Sequence, residues 1–154
     1  MVSYLVQGED GSISRVSSFD AANAVISRFS PPELVIPAGI APGQSMQRNI
    51  AVTVSDVTSP DTVKYQGTLA QTVTYVGAYQ VTVPAGRFEA ILLDILFEGK
   101  IGPATIRDQT CVLFAEGVGR VAAVEHKSIS AFFFYNKDER HGRVLMRNEP
   151  ELGN

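Results

Sequence analysis

The stretches that decide the fold are Val81–Ala90, VTVPAGRFEA, and Ala115–Val121, AEGVGRV. Each sets a turn between two runs of strand-type residues. Val81, Thr82 and Val83 lead into Pro84-Ala85-Gly86, and Phe88 then opens an apolar run to Phe97. Proline fixes φ and glycine accepts φ > 0, so the trio reverses the chain at low steric cost, while β-branched neighbours suit a pleated surface. Gly117 and Gly119 play the same part between Cys111–Ala115 and Val121–Glu125. The pattern describes an antiparallel meander, and nothing in it describes a reaction.

Working outward, Tyr4–Gln7 and Ser12–Ser17 flank Gly8-Glu9-Asp10-Gly11 as a short hairpin. Asp20–Arg28 is the one place a helix is expected: Ala21, Ala22 and Ala24 favour it, Ser18 or Asp20 would cap it, and Pro31-Pro32 would stop it. Val25 and Ile26 suit a strand equally well. Residues 31–45 hold Pro31, Pro32, Pro37 and Pro42 with Gly39 and Gly43, a density foreign to a central strand, so they read as a strap across the fold. Asn49–Val57 and Thr62–Val76 are strands joined at Thr58-Ser59-Pro60-Asp61. In the second, Val63, Tyr65, Leu69, Val73 and Tyr75 alternate with polar residues, giving one buried and one wet face.

Phe88–Gly99 breaks that rule. Ile91, Leu93, Ile95 and Phe97 share one face, while Phe88, Leu92 and Leu96 share the other with Asp94. Ala131–Tyr135, AFFFY, is apolar on both faces too. A second layer, a helix, a partner chain or a ligand must cover the second side. After Ile101-Gly102-Pro103 come strands over 105–115, 118–127 and 129–136, a polar hairpin tip at Lys137-Asp138-Glu139-Arg140, and a last strand over 142–147. The reading is mainly β: a curved antiparallel meander, half barrel or open barrel, with at most one short helix. Residues 1–147 form a single domain and 148–154 a flexible tail.

With 154 residues and 45% hydrophobic content, the chain can bury roughly two-thirds of its unfolded surface. Charged residues are only 19%, the net charge is −3, and Lys and Arg form no basic stripe, so nucleic acid is not an expected partner. No segment reaches the roughly twenty apolar residues of a membrane span. The opening MVSYLVQGEDG lacks the basic and apolar regions of a signal peptide.

Chemical motifs are sparse. Cys111 is the single cysteine and reads as a small apolar strand residue. His126 and His141 are the only histidines, and no His, Cys or Asp spacing fits a metal site. No nucleophile elbow or dinucleotide fingerprint is present. Asp94, set between Leu93 and Ile95, needs a partner, for which Arg107 or Lys100 would serve. Arg107-Asp108 and Glu116 with Arg120 read as surface or cross-strand pairs.

One family resemblance can be drawn. Pro-Pro-x-Leu followed by Ile40-Ala41-Pro42-Gly43, then Val81–Gly86 with Phe88 and Ala90, then Phe114-Ala115-x-Gly117-Val118-Gly119 and the final aromatic hairpin, resemble bacterial cell-envelope domains with the half-barrel fold of outer-membrane lipoprotein carriers. The resemblance implies a curved sheet that can hold an apolar ligand, no catalytic residues and a periplasmic or cell-envelope location. The function expected is a non-enzymatic module, without cofactor or metal, binding a lipid or other apolar ligand on the concave side through Phe88, Leu92, Asp94, Leu96, Phe132 and Phe134. Two alternatives stand beside it: an interaction module covered by a homodimer partner or neighbouring domain, and a hydrolase or isomerase using Asp94 with a histidine.

Overall fold

The computed structural model describes residues 1–131 and 135–147. Nine strands follow in chain order: β1 (Val2–Gln7), β2 (Ile13–Asp20), β3 (Val25–Ile36), β4 (Ser45–Asp56), β5 (Val63–Val83), β6 (Gly86–Ile101), β7 (Ala104–Ala115), β8 (Gly119–Ala131) and β9 (Tyr135–Val144). Each pairs antiparallel with the next, in one sheet ordered β1 to β9 that curls into a half barrel. The described residues contain no helix. The Gly-rich and Pro-containing turns sit where the alternating runs require them, with Val83 paired to Gly86 and Ala115 to Gly119.

The register defines the rungs of the concave face. One runs Tyr75, Leu93, Val112, Ala123, Arg143; the next Val73, Ile95, Thr110, Glu125, His141; the next Gln71, Phe97, Asp108, Lys127, Glu139. Val73, Leu93, Ile95, Val112 and Ala123 form the main core with Leu34. Ile50, Val52 and Leu69 extend it toward Phe29, Ile101 and Ile106.

Leu34 arrives in that core by an unusual route. β3 pairs with β4 from Val25 to Ser30, and beyond this its remaining pairs are with β2 alone. Pro31 and Pro32 offer no N–H to a ladder, so the split falls where the sequence cannot sustain pairing. The freed end of β3, with β1 and β2, folds over the concave face as a flap. Gln71 replaces the missing strand: its side chain, 1% exposed, accepts from Leu34 N–H at 3.0 Å and donates to Leu34 C=O at 2.7 Å. Arg48 adds a bond to the Pro32 carbonyl at 2.9 Å.

The two-sided apolarity of Phe88–Phe97 has a physical cause. A second core of Ala90, Ala115 and Val121, packed with Val81, Phe88, Leu113, Val118 and Leu145, lies on the opposite face of the sheet. Leu145 closes it, accepting from Ala85 N–H at 3.2 Å and donating to Val121 C=O at 2.8 Å. β6 therefore feeds one core with Leu93, Ile95 and Phe97 and another with Phe88 and Ala90. Each half of the run is apolar on the face its own core requires.

Two expectations are corrected. No helix spans Asp20–Arg28: β2 ends at Asp20 and β3 starts at Val25. The Asp20 carboxylate accepts from Ala22 N–H at 2.9 Å and from Asn23 Nδ2 at 2.7 Å, an Asx turn that wins over alanine helix propensity. Lys137–Arg140 is not a hairpin tip but the middle of β9, with Glu139 opposite Lys127 and Arg140 opposite His126. Ala131 of β8 and Tyr135 of β9 pair with each other. β5 and β6 approach closely at Gly67, where a Cβ would stand 1.8 Å from the Lys100 carbonyl oxygen.

Candidate functional site

The concave side is not filled. Between the flap and strands β6–β9 lies a cavity of about 420 Å³, within the usual range for small-ligand sites. Its apolar wall is Val35, Ile95, Phe97, Val112 and Phe114, with Leu5 and Met1 from the N-terminal strand. Its polar wall carries Arg15, Glu33, Asp108, Arg120, Glu125, His141 and Arg143. The rungs order these charges. Arg120 stands opposite Phe114 and Arg143 opposite Ala123, whereas Glu125, His141, Asp108 and Lys127 follow toward the other end.

The acidic end is held by two ion pairs, one within the flap and one within the sheet. Arg15 of β2 engages Glu33 of β3, with its Nε donating to Oε2 at 2.9 Å, and stacks over Phe29 at 5.2 Å. Lys127 lies 3.6 Å from Asp108. Burial pushes the Glu33 carboxyl above the ordinary carboxylate range, and Arg15 pulls it only partly back. Asp108 is raised for the same reason, with Lys127 opposing and Glu125 reinforcing the shift.

The residues singled out from sequence lie mostly elsewhere. Leu92, Asp94 and Leu96 point to the convex face, one residue out of phase with the cavity-lining Ile95 and Phe97. Phe88 packs in the second core. Phe132 and Phe134 lie outside the described residues. Asp94 is satisfied neither by Arg107 nor by Lys100: Gln109 Nε2 donates to both its oxygens at 3.1 Å, and the Cys111 thiol lies 3.8 Å away. Arg107 instead pairs with Glu98, and Asp108 with Lys127. Cys111 sits in β7 with its side facing solvent, its thiol pushed up by burial and by Asp94.

The histidines are separated by the sheet. His126 is on the convex face and its Nε2 is 2.9 Å from Asp138 Oδ1, while His141 lines the cavity. Asp94 is bonded by Gln109 and His126 by Asp138, so Asp94 pairs with neither histidine. Among the described residues no three His, Cys, Asp or Glu side chains converge as metal ligands. No helix there is long and apolar enough to cross a membrane.

Glu33 and Asp108 are the functional candidates the sequence concealed. Glu33 follows two prolines and reads as strap, and Asp108 follows Arg107 and reads as half of a surface pair. No protein-family model, curated protein or solved structure matches this chain.

Proposed function

We propose that this chain is a binding module that holds a small apolar or amphiphilic molecule, of the lipid or acyl-chain type, between its flap and the concave face of its sheet. The observation that carries the reading is the hollow itself: the curved sheet leaves about 420 Å³ against Val35, Ile95, Phe97, Val112 and Phe114. Apolar wall of this kind gains about 25 cal/mol for each Å² taken out of water. The placement of Asp94, His126 and His141 supports a binding role over a catalytic one. A cell-envelope setting rests on the turn-motif resemblance alone, and cell fractionation tests it. The direct test of binding is displacement of an apolar fluorescent dye by a ten-carbon amphiphile, with Val112→Trp filling the cavity as control. Saturable displacement lost in the variant supports the proposal, and dye binding unaffected by Val112→Trp refutes it.

A second reading is favoured by β1. Its six residues are all exposed, it carries no charge and no proline, and it forms one edge of the sheet. Edge strands are ordinarily protected by charge, as β9 is by Lys137, Asp138, Glu139 and Arg140. Self-association through β1 predicts a dimer by light scattering at micromolar concentration that Tyr4→Lys disperses. A wild-type chain that stays monomeric refutes it.

A further inference from the structure

We infer that the cavity selects an amphiphile with an anionic head, a carboxylate or phosphate monoester, bound by Arg120 and Arg143. The inference rests on the binding reading above and deepens it by naming the chemistry of the head.

Three observations converge. First, Arg120 and Arg143 both line the cavity and both are exposed at its wall. A smaller depression of about 110 Å³ lies between them, bounded by Val121, Ala122, Val144 and Leu145. Second, neither arginine forms an ion pair among the described residues, whereas Arg15, Arg107 and Lys127 all do. Glu125, the nearest carboxylate along β8, is one rung away and opposite His141. Third, the register puts these arginines next to the apolar rungs. Arg120 faces Phe114, and Arg143 stands opposite Ala123 of β8, with Val112 of β7 beyond it.

The guanidinium fork matches a carboxylate or phosphate in two parallel hydrogen bonds, and two such forks on neighbouring strands define a head site. A tail running from them along Phe114, Val112 and Ile95 would travel toward the acidic end. There the cations Arg15 and Lys127 are already engaged by Glu33 and Asp108, and Glu125 adds a further carboxylate to the lining. The cavity therefore has a direction: head at Arg120 and Arg143, tail toward Phe97.

Calorimetric titration of the full chain tests this with three probes: decanoate, decylamine and acetate. Decanoate is expected to bind at least ten-fold more tightly than decylamine, and acetate, which lacks a tail, not to bind. The double variant Arg120→Gln/Arg143→Gln is expected to weaken decanoate at least ten-fold while decylamine binding is retained, which also shows that the variant folds. Equal or tighter decylamine binding, or decanoate binding untouched by the variant, overturns the head assignment while leaving the cavity reading intact. Failure of both ten-carbon probes overturns the cavity reading and this inference with it.

Discussion

Replacing Gln71 by Met is the most informative single perturbation of this fold. Methionine keeps the length and approximate volume of the side chain but neither donates nor accepts strongly. Gln71 is buried at 1% exposure, and its amide satisfies both backbone groups of Leu34. In the variant those two groups stay buried without partners, at about 1–3 kcal/mol each, so the total loss is about 2–6 kcal/mol. For a domain whose stability is about 5–15 kcal/mol that is a large share. With a urea dependence of about 2 kcal/mol per molar, the unfolding midpoint falls by roughly 1–3 M. Amide exchange supplies the local readout: the Leu34 N–H, protected in the parent chain, exchanges freely in the variant. Because Glu33 and Val35 flank Leu34 and line the cavity, ligand affinity falls as well. A midpoint shift below about 0.2 M together with a still-protected Leu34 amide would refute the idea that Gln71 stands in for a strand.

Further outcomes follow from the same geometry. Glu33 and Asp108 have folded-state pKa values above their unfolded ones. Over the interval between the two values the folded chain binds more protons, so their contribution to stability is full below about pH 4 and declines as the pH rises toward neutrality. Urea unfolding of the parent chain against Glu33→Gln/Asp108→Asn checks this: the parent's stability relative to the variant falls with rising pH, and a rise contradicts it. Gly67→Ala drives a Cβ to 1.8 Å from the Lys100 carbonyl oxygen and forces the β5–β6 backbones apart. Thermal denaturation should show a loss of at least about 3 kcal/mol. Gly117→Ala, with φ of +71° and open space around it, costs only about 1 kcal/mol. Finally, Cys111 is exposed but burial of its thiol and the Asp94 carboxylate raise its pKa. Iodoacetamide should alkylate it more slowly than a free thiol at pH 8, and Asp94→Asn should accelerate the reaction; an unchanged rate contradicts the pairing.

The meander was legible because its signals are local. Alternation in Thr62–Val76 and the Pro-Ala-Gly and Gly-Val-Gly turns each specify strand or reversal within fifteen residues. The failures share one cause, dependence on distant partners. Ala21–Ala24 carries helix propensity, yet a single carboxylate at Asp20 and pairing of Val25–Ser30 with β4 decide otherwise. Charged Lys137–Arg140 resembles a turn because an edge strand exposes the same residue types. The face of Leu92, Asp94 and Leu96 could not be read from β6 itself, since a run apolar on both sides serves two cores. Glu33 is buried only because Gln71, thirty-eight positions on, pulls the flap down.

The central claim is that the inward side of the sheet is a ligand site and the outward side is not. Methyl-labelled NMR titration with decanoate tests it most directly. The account predicts shifts at Val35, Ile95 and Val112, with Leu92, Leu96 and Val124 unmoved. Shifts confined to Leu92, Leu96 and Val124, or no shifts at saturating decanoate, would contradict it.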